Sequence, residues 1–237
     1  MNNQMHELHT LVEWARNRTN ERVREAIAAE RLTREAYVRF LVNQYHLTNG
    51  VQKPLLRIAS SERLVRRRQL REFLFRFALE EEPHYLLAAR DLEALGSGPA
   101  SRPLEASLWW AYFDSVLDTQ PFQRLGGTCI LENIGVGLGA AIKPLFAKLD
   151  FIRPDTTRFL MVHLHEELPH GDLVLRMIGS SKLECADMEE LITGARVATT
   201  LYLRMLEWYF DGDQIPAALA QTAGAEMTSG RNSVTAV

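Results

Sequence analysis

The sequence predicts an all-α protein, and two observations carry that prediction. Apolar residues recur at intervals of three and four along most of the chain, and no convincing stretch alternates apolar and polar side chains as a half-buried strand would. Hydrophobic residues make up 46% of the 237 positions, which is ample for one core. We therefore expect a single domain of about seven helices over residues 1–212, followed at 213–237 by a mobile tail without a sustained apolar pattern.

The first two predicted helices lie on either side of a clear start signal. Met5–Ala29 has its apolar residues at helical spacing and predicts one amphipathic helix. Thr33 predicts the N-cap of the next helix, because its hydroxyl can accept a hydrogen bond from a backbone N–H of the first turn. That second helix should bend or end near Gly50 and Pro54.

The middle of the chain predicts two more helical segments around one loop. Ser61–Gly96 should be helical almost throughout, with Ser61 as a cap and Gly96 just beyond the last turn, where glycine is favoured. Ser97–Pro103 is the clearest loop, and LWWAYFDSVLDT after it predicts a helix that ends before Pro121. Four aromatic residues of this helix could line a pocket, although such a cluster is more often core: Trp109, Trp110, Tyr112 and Phe113.

The second half of the chain begins with an unusual stretch. Gly126–Phe146 combines many glycines with apolar residues and predicts an irregular buried helix, because small residues let helices, or a ligand, approach the backbone closely. After a start signal at Pro154–Thr156 comes the largely apolar helix Phe159–Met177, and Asp187–Phe210 predicts the last long helix.

The composition excludes several classes of protein. A net charge of −3 and a pI near 6.2 give no whole-chain signal for polyanion binding. No apolar run reaches the roughly 18 residues that span a bilayer, and neither end predicts a signal peptide. Two cysteines, Cys129 and Cys185, do not make a disulfide framework and suggest a reducing compartment. We expect a cytoplasmic protein that binds neither nucleic acid nor membrane.

The residues that suggest chemistry are concentrated in the helix Phe159–Met177, where three histidines and two carboxylates fall within eight positions. At about 100° per residue, His163, Glu167 and His170 project within roughly 60° of one another. Buried ionisable groups are costly unless they are paired or bind a metal. This polar stripe on an apolar helix therefore predicts a set of metal ligands.

Two further segments supply ligand types. Glu81 and His84 are spaced i, i+3, which places them on one face of a helix, as in the Glu-x-x-His of di-metal carboxylate bundles. Glu132 lies inside the apolar, glycine-rich segment, where a carboxylate should not sit without a partner. A mixture of carboxylates and imidazoles suits iron or manganese.

Simpler interpretations exist for most of these residues. Glu81 belongs to an acidic triplet, which is most often a solvated face, and His84 could be a core histidine with an ordinary hydrogen bond. Glu132 could bond a buried tyrosine or histidine without any metal. Glu166 also falls on the polar stripe, and spacing alone does not exclude it, whereas His165 points to the opposite side and is interpreted as structural. An arginine run could attract a carboxylate or a carrier protein but is more often solvated: Arg63, Arg66, Arg67, Arg68 and Arg71.

The order of four motifs carries a resemblance. QYHLTNG, EEEPHYLLAARDLEALG, ILENIGVG and H-x-x-x-E-x-x-H, between about Thr33 and Phe210, resemble the haem-oxygenase-like di-metal oxidases and oxygenases, which share a helical bundle with thiaminase-II and pyrroloquinoline-quinone synthase. The resemblance implies a haem-oxygenase-like bundle and two irons, with manganese as the other candidate. Because the first Glu-to-His spacing varies among relatives, Glu80 is an alternative to Glu81. The implied ligands are Glu81, His84, Glu132, His163, Glu167 and His170.

The resemblance also implies a reaction. Such proteins activate dioxygen to oxidise small substrates, so we expect an iron-dependent oxidase or oxygenase acting on a carboxylate- or amine-bearing molecule. Gly135, Gly137 and Gly139 should leave room for that molecule beside Glu132, unless they serve only tight packing. The expected partners are the substrate and dioxygen, and the expected assembly is a homodimer. The alternatives are a thiaminase-II-like hydrolase that uses Cys129 and a non-catalytic binding protein of the same fold.

Overall fold

The computed structural model describes residues 3–164 and 170–213, and within those ranges it consists of helices and connections without a strand. The predicted all-α class is therefore confirmed. Two 3₁₀ turns, Glu62–Leu64 and Lys143–Ala147, accompany the α-helices. The α-helices are α1 (Asn3–Ala28), α2 (Arg34–Thr48), α3 (Gln52–Ser60), α4 (Arg68–Glu81), α5 (His84–Ala94), α6 (Leu104–Val116), α7 (Pro121–Ile134), α8 (Gly139–Ile142), α9 (Arg158–Leu164), α10 (His170–Ser180) and α11 (Cys185–Asp211).

Local signals set several helix ends where the sequence predicts them. The Thr33 side chain accepts a hydrogen bond of 3.2 Å from the backbone N–H of Ala36 at the start of α2. Gly96 follows α5 with a φ of 67°, a left-handed conformation that glycine adopts without steric cost. Ser61 caps the 3₁₀ turn Glu62–Leu64, and α4 begins only at Arg68.

Within the described ranges, two of the expected helical segments are divided into shorter helices. The most important break falls in Ser61–Gly96, where α4 ends at Glu81 and α5 begins at His84. Pro83 lies in this break, since its ring would clash with a carbonyl of the preceding turn and it has no N–H to donate. The glycine-rich segment is likewise divided, because Gly137 adopts a φ of 88° between α7 and α8.

The main core forms around α7, whose residues 121–130 are all buried. Glycines let α7 and α11 cross at very short range. A Cβ on Gly126 would lie 2.0 Å from the carbonyl oxygen of Leu191, and one on Gly194 would lie 1.9 Å from that of Gln123. Real side-chain atoms do not occupy such positions, so this crossing requires both glycines.

The aromatic cluster takes its simpler interpretation as core, whereas part of the arginine run is engaged in ion pairs within the chain. Trp109, Trp110 and Phe113 are buried in the main core. Arg63 forms ion pairs with Asp187 and Glu190, which ties the segment before α4 to α11. Arg67 and Arg68 likewise pair with Glu184 and Glu72, so three arginines of the run are bound by carboxylates of the same chain.

A second apolar cluster joins α2, α5 and α9 with the segment around Phe151. It holds the two helices that carry His84 and His163. In the described ranges, no single helix is both long and apolar enough to cross a bilayer; α7 with Gly139–Ala147 meets that test only as a pair bent by 41°. The predicted tail lies almost entirely outside the described residues.

Candidate metal centre

Glu81 and His84 meet across the break between α4 and α5. Both side chains are buried, and His84 Nδ1 lies 2.8 Å from Glu81 Oε2. Two ligands that bind one metal at right angles, with bonds of about 2.1 Å, lie about 3 Å apart. The two groups are close as predicted, but the kink at Pro83, rather than a continuous helix face, brings them together. Glu80 is exposed, so Glu81 is the carboxylate that the fold places beside His84.

His163 comes to the same place from α9. Its Nδ1 lies 2.7 Å from the carbonyl oxygen of Phe159, one turn earlier, and its ring centroid is 5.1 Å from that of His84. When Nδ1 donates its proton to a carbonyl, Nε2 is the unprotonated nitrogen, which is the form that binds a metal. One ligand atom each from Glu81, His84 and His163 lies within 4.8 Å of the other two.

Asp91 fixes the relative position of α5 and α9. Its fully buried carboxylate accepts hydrogen bonds from the backbone N–H groups of Arg158, at 3.1 Å, and Phe159, at 2.8 Å. These N–H groups are among the four that a helix leaves unpaired at its start, so a residue of α5 caps α9. Burial raises the pKa of the Asp91 carboxyl above its ordinary value, although both N–H groups oppose the shift.

Asp91 therefore links the two histidine-bearing helices through a short chain of contacts. Its carboxylate binds the N–H of Phe159, and the carbonyl of Phe159 accepts the hydrogen bond of the His163 ring. Sequence reasoning missed this residue. A signal was present, because Asp91 lies seven positions after His84 and hence on the same face of α5.

Glu132 approaches from α7. Its half-buried side chain lines a cavity of about 180 Å³ that Glu81 and His163 also line. Gly135 lines this cavity as well, and a Cβ there would meet nothing within 4 Å. Gly135 therefore leaves open space in the cavity that Glu132 lines, as expected from the sequence. Gly137 instead forms the turn after α7.

The remaining predicted ligands fall at the edge of the described part of the chain. Glu167 and its alternative Glu166 lie outside the described residues. His170 is the first residue of α10, but its side chain is not among those described. Their part in the site stays a prediction.

The four described candidates suit a transition metal. Two carboxylates and two imidazoles provide the mixed oxygen and nitrogen donors that iron and manganese bind. The close approach of Glu81, His84 and His163 fits one ion, and Glu132 faces the same cavity as two of them. These residues could therefore hold a metal centre.

Cys129 is poorly suited to act as a nucleophile. The residue is completely buried in the main core and is not among the residues that line the cavity. Burial raises the pKa of its thiol, and the negative charge of Glu132 raises it further. Because the thiolate is the reactive form, this environment suppresses the chemistry that a thiaminase-like hydrolase needs.

Comparison with solved structures shows which fold this arrangement belongs to. The chain superposes with a TM-score of 0.69 on a crystal structure from Shewanella denitrificans OS217, described as a domain of unknown function with a haem oxygenase-like fold. The match covers 88% of this chain and 94% of that one, at 18% sequence identity. The fold is haem-oxygenase-like. No protein-family model and no curated protein matches the sequence. The haem-oxygenase-like bundle expected from the motif order is therefore confirmed at the level of fold.

Proposed function

We propose that this protein is an iron-dependent oxidase or oxygenase, which uses dioxygen at a di-metal site to oxidise a small carboxylate- or amine-bearing substrate. The observation that carries the proposal is the convergence of Glu81, His84 and His163, which come from three different helices. Three ionisable side chains seldom meet at such short range in a largely apolar environment unless they bind an ion.

The haem-oxygenase-like fold gives the proposal general support, because a helical bundle of this kind can hold a site between its helices. Glu132 supplies a second carboxylate that lines the same cavity as Glu81 and His163. When bound, two ferrous ions would supply the electrons that reduce dioxygen.

The protein residues would perform the binding and orienting. Glu81 and Glu132 would contribute negative charge that stabilises divalent metal. The Phe159 carbonyl accepts the hydrogen bond of the His163 Nδ1–H, so Nε2 would be the nitrogen that binds the ion. The apolar wall of the cavity would exclude water from the reacting substrate.

The proposal is tested by dioxygen uptake. The protein is loaded anaerobically with Fe²⁺, freed of excess iron, and mixed with air-saturated buffer in an oxygen electrode. We expect rapid uptake that scales with bound iron, is absent in zinc-loaded protein, and falls to background in His84→Ala. Fully iron-loaded protein that consumes no dioxygen would contradict the proposal and favour a non-catalytic binding protein.

A further inference from the structure

The wall of the 180 Å³ cavity is built almost entirely from carbon. Side chains from α1, α2, α7, α11 and the segment after α7 surround it. Most of them are aliphatic or aromatic. Representative members are Val23, Phe40, Leu47, Leu138, Ile142 and Leu206.

Several polar atoms in the lining side chains already have protein partners. The Tyr37 hydroxyl donates to the carbonyl oxygen of Thr156 at 2.8 Å, and the Tyr209 hydroxyl accepts from Asn43 Nδ2 at 2.7 Å. The Thr48 hydroxyl donates to the carbonyl oxygen of Gln44 at 2.8 Å. The hydroxyl protons of Tyr37 and Thr48 are therefore already donated to protein carbonyls, and the Tyr209 oxygen already accepts a hydrogen bond within the protein.

The charges around the cavity are confined to the candidate metal centre. Among the described lining residues, the carboxylates and the imidazole are Glu81, Glu132 and His163, and neither lysine nor arginine is present. The described lining therefore offers no cationic side chain to an anionic substrate group, which would instead find positive charge in bound metals. A second charged group elsewhere on the substrate would face carbon, at a large cost in desolvation.

We propose that the substrate has an uncharged hydrocarbon body and one polar group, which is held where Glu81, Glu132 and His163 reach the cavity. This inference rests on the proposed function for the role of the metals. A dry apolar cavity of about 150 Å³ accommodates benzene, so this cavity suits a body of about six to eight carbon atoms. Zwitterionic amino acids with distant charges are poor candidates.

The absence of a side chain at Gly135 leaves space in the cavity for the hydrocarbon body. It ends α7 with a φ of −75°, which any L-residue can adopt, and a Cβ there would point into open space. A larger side chain should therefore enter the cavity without straining the backbone. Gly98 is a matched control, because it is exposed in the loop before α6 and a Cβ there also meets nothing within 4 Å.

The test is equilibrium binding of n-octanoate, n-hexanoate and 8-aminooctanoate to manganese-loaded protein, measured by calorimetry. Removal of a buried methylene costs about fourfold in affinity, so n-hexanoate should bind roughly 15-fold more weakly than n-octanoate. We expect 8-aminooctanoate to bind at least tenfold more weakly. Gly135→Leu should reduce n-octanoate affinity at least tenfold, Gly135→Ala by less, and Gly98→Leu should change nothing.

Tight binding of 8-aminooctanoate, or unchanged n-octanoate binding in a folded Gly135→Leu protein, would overturn the inference. A neutral probe separates this result from failure of the proposed function. If 1-octanol binds metal-free protein and Gly135→Leu blocks this binding, the cavity binds a hydrocarbon body even if the protein takes up no metal. If the protein binds two metal ions but does not bind 1-octanol, the inference about the substrate is wrong and the proposed metal site is retained.

Discussion

The side-chain amide of Asn133 occupies the space beside Gly171, so closely that a Cβ on Gly171 would lie 2.4 Å from Asn133 Cγ. The amide is held in place because Asn133 Nδ2 donates to the carbonyl oxygen of Cys129 at 2.8 Å. Asn133 directly follows Glu132 on α7, and Gly171 directly follows His170 on α10. This contact therefore sets the distance between two proposed ligand positions.

Gly171→Ala should weaken metal binding. The added methyl group would push the first turn of α10 away from α7, together with the backbone of His170. Disturbing the support of a ligand typically costs 10- to 100-fold in metal affinity, and we expect a loss of about that size for one of two ions. Competition against a metal-binding dye measures it.

Two further variants control this prediction. Gly179→Ala lies on the same helix, where a Cβ would meet only Met5 Cε at an ordinary 3.5 Å, and should bind metal like wild type. Asn133→Ala removes the atoms that the new methyl group would strike, so Gly171→Ala with Asn133→Ala should recover affinity. No recovery in the double variant would contradict the steric explanation.

Asp91 provides the second prediction. Asp91→Ala would leave one buried and one part-buried N–H group at the start of α9 without their partner, which should lower the free energy of unfolding by about 2–3 kcal/mol. Metal affinity should also fall, because α9 carries His163. Asp91→Asn keeps one acceptor oxygen and should lie between wild type and Asp91→Ala in both measurements.

The control for Asp91 is Asp155→Ala, which removes an exposed carboxylate that pairs with Arg153. Surface pairs of this kind contribute little, so its free energy of unfolding should match wild type within about 0.5 kcal/mol. Equal effects of Asp91→Ala and Asp155→Ala would show that the cap does not position α9.

The acidic triplet before Pro83 provides the third prediction. Glu81→Ala should remove most metal binding, since Glu81 is the buried carboxylate beside His84. Glu80→Ala should leave metal binding intact, because its side chain is exposed. The metal content of the two variants after dialysis is measured by plasma mass spectrometry. If Glu80→Ala loses metal and Glu81→Ala keeps it, Glu80 is the ligand instead of Glu81.

The fourth prediction concerns the acid between His163 and His170. The motif order favours Glu167 as the ligand over Glu166, both of which lie outside the described residues. Glu167→Ala should abolish iron binding, whereas Glu166→Ala should leave it nearly intact. If the iron content of the two proteins shows the reverse order, Glu166 is the ligand.

The sequence predicts local features well and long-range features less well. The Thr33 cap and the Gly96 stop depend on neighbouring residues only, and both occur as expected. The contact between Glu81 and His84 was expected for a continuous helix, yet it forms across the kink at Pro83. The three-residue spacing brings the side chains together in either geometry.

The features that the sequence could not predict are contacts between segments that lie far apart in the chain. Nothing local distinguishes Gly126, which touches the backbone of α11, from Gly135, which borders open space. The pairing of Asp91 with the start of α9 likewise spans 67 residues. Such contacts depend on how helices are arranged in space, and helical periodicity alone carries no information about that.

The most direct test of the central claim is anomalous diffraction from crystals loaded anaerobically with Fe²⁺, collected on both sides of the iron absorption edge. We expect an anomalous peak within about 2.0–2.4 Å of ligand atoms of Glu81, His84 and His163, and a second peak near Glu132. No iron peak within bonding distance of these residues, in crystals of protein that binds iron, would contradict the account.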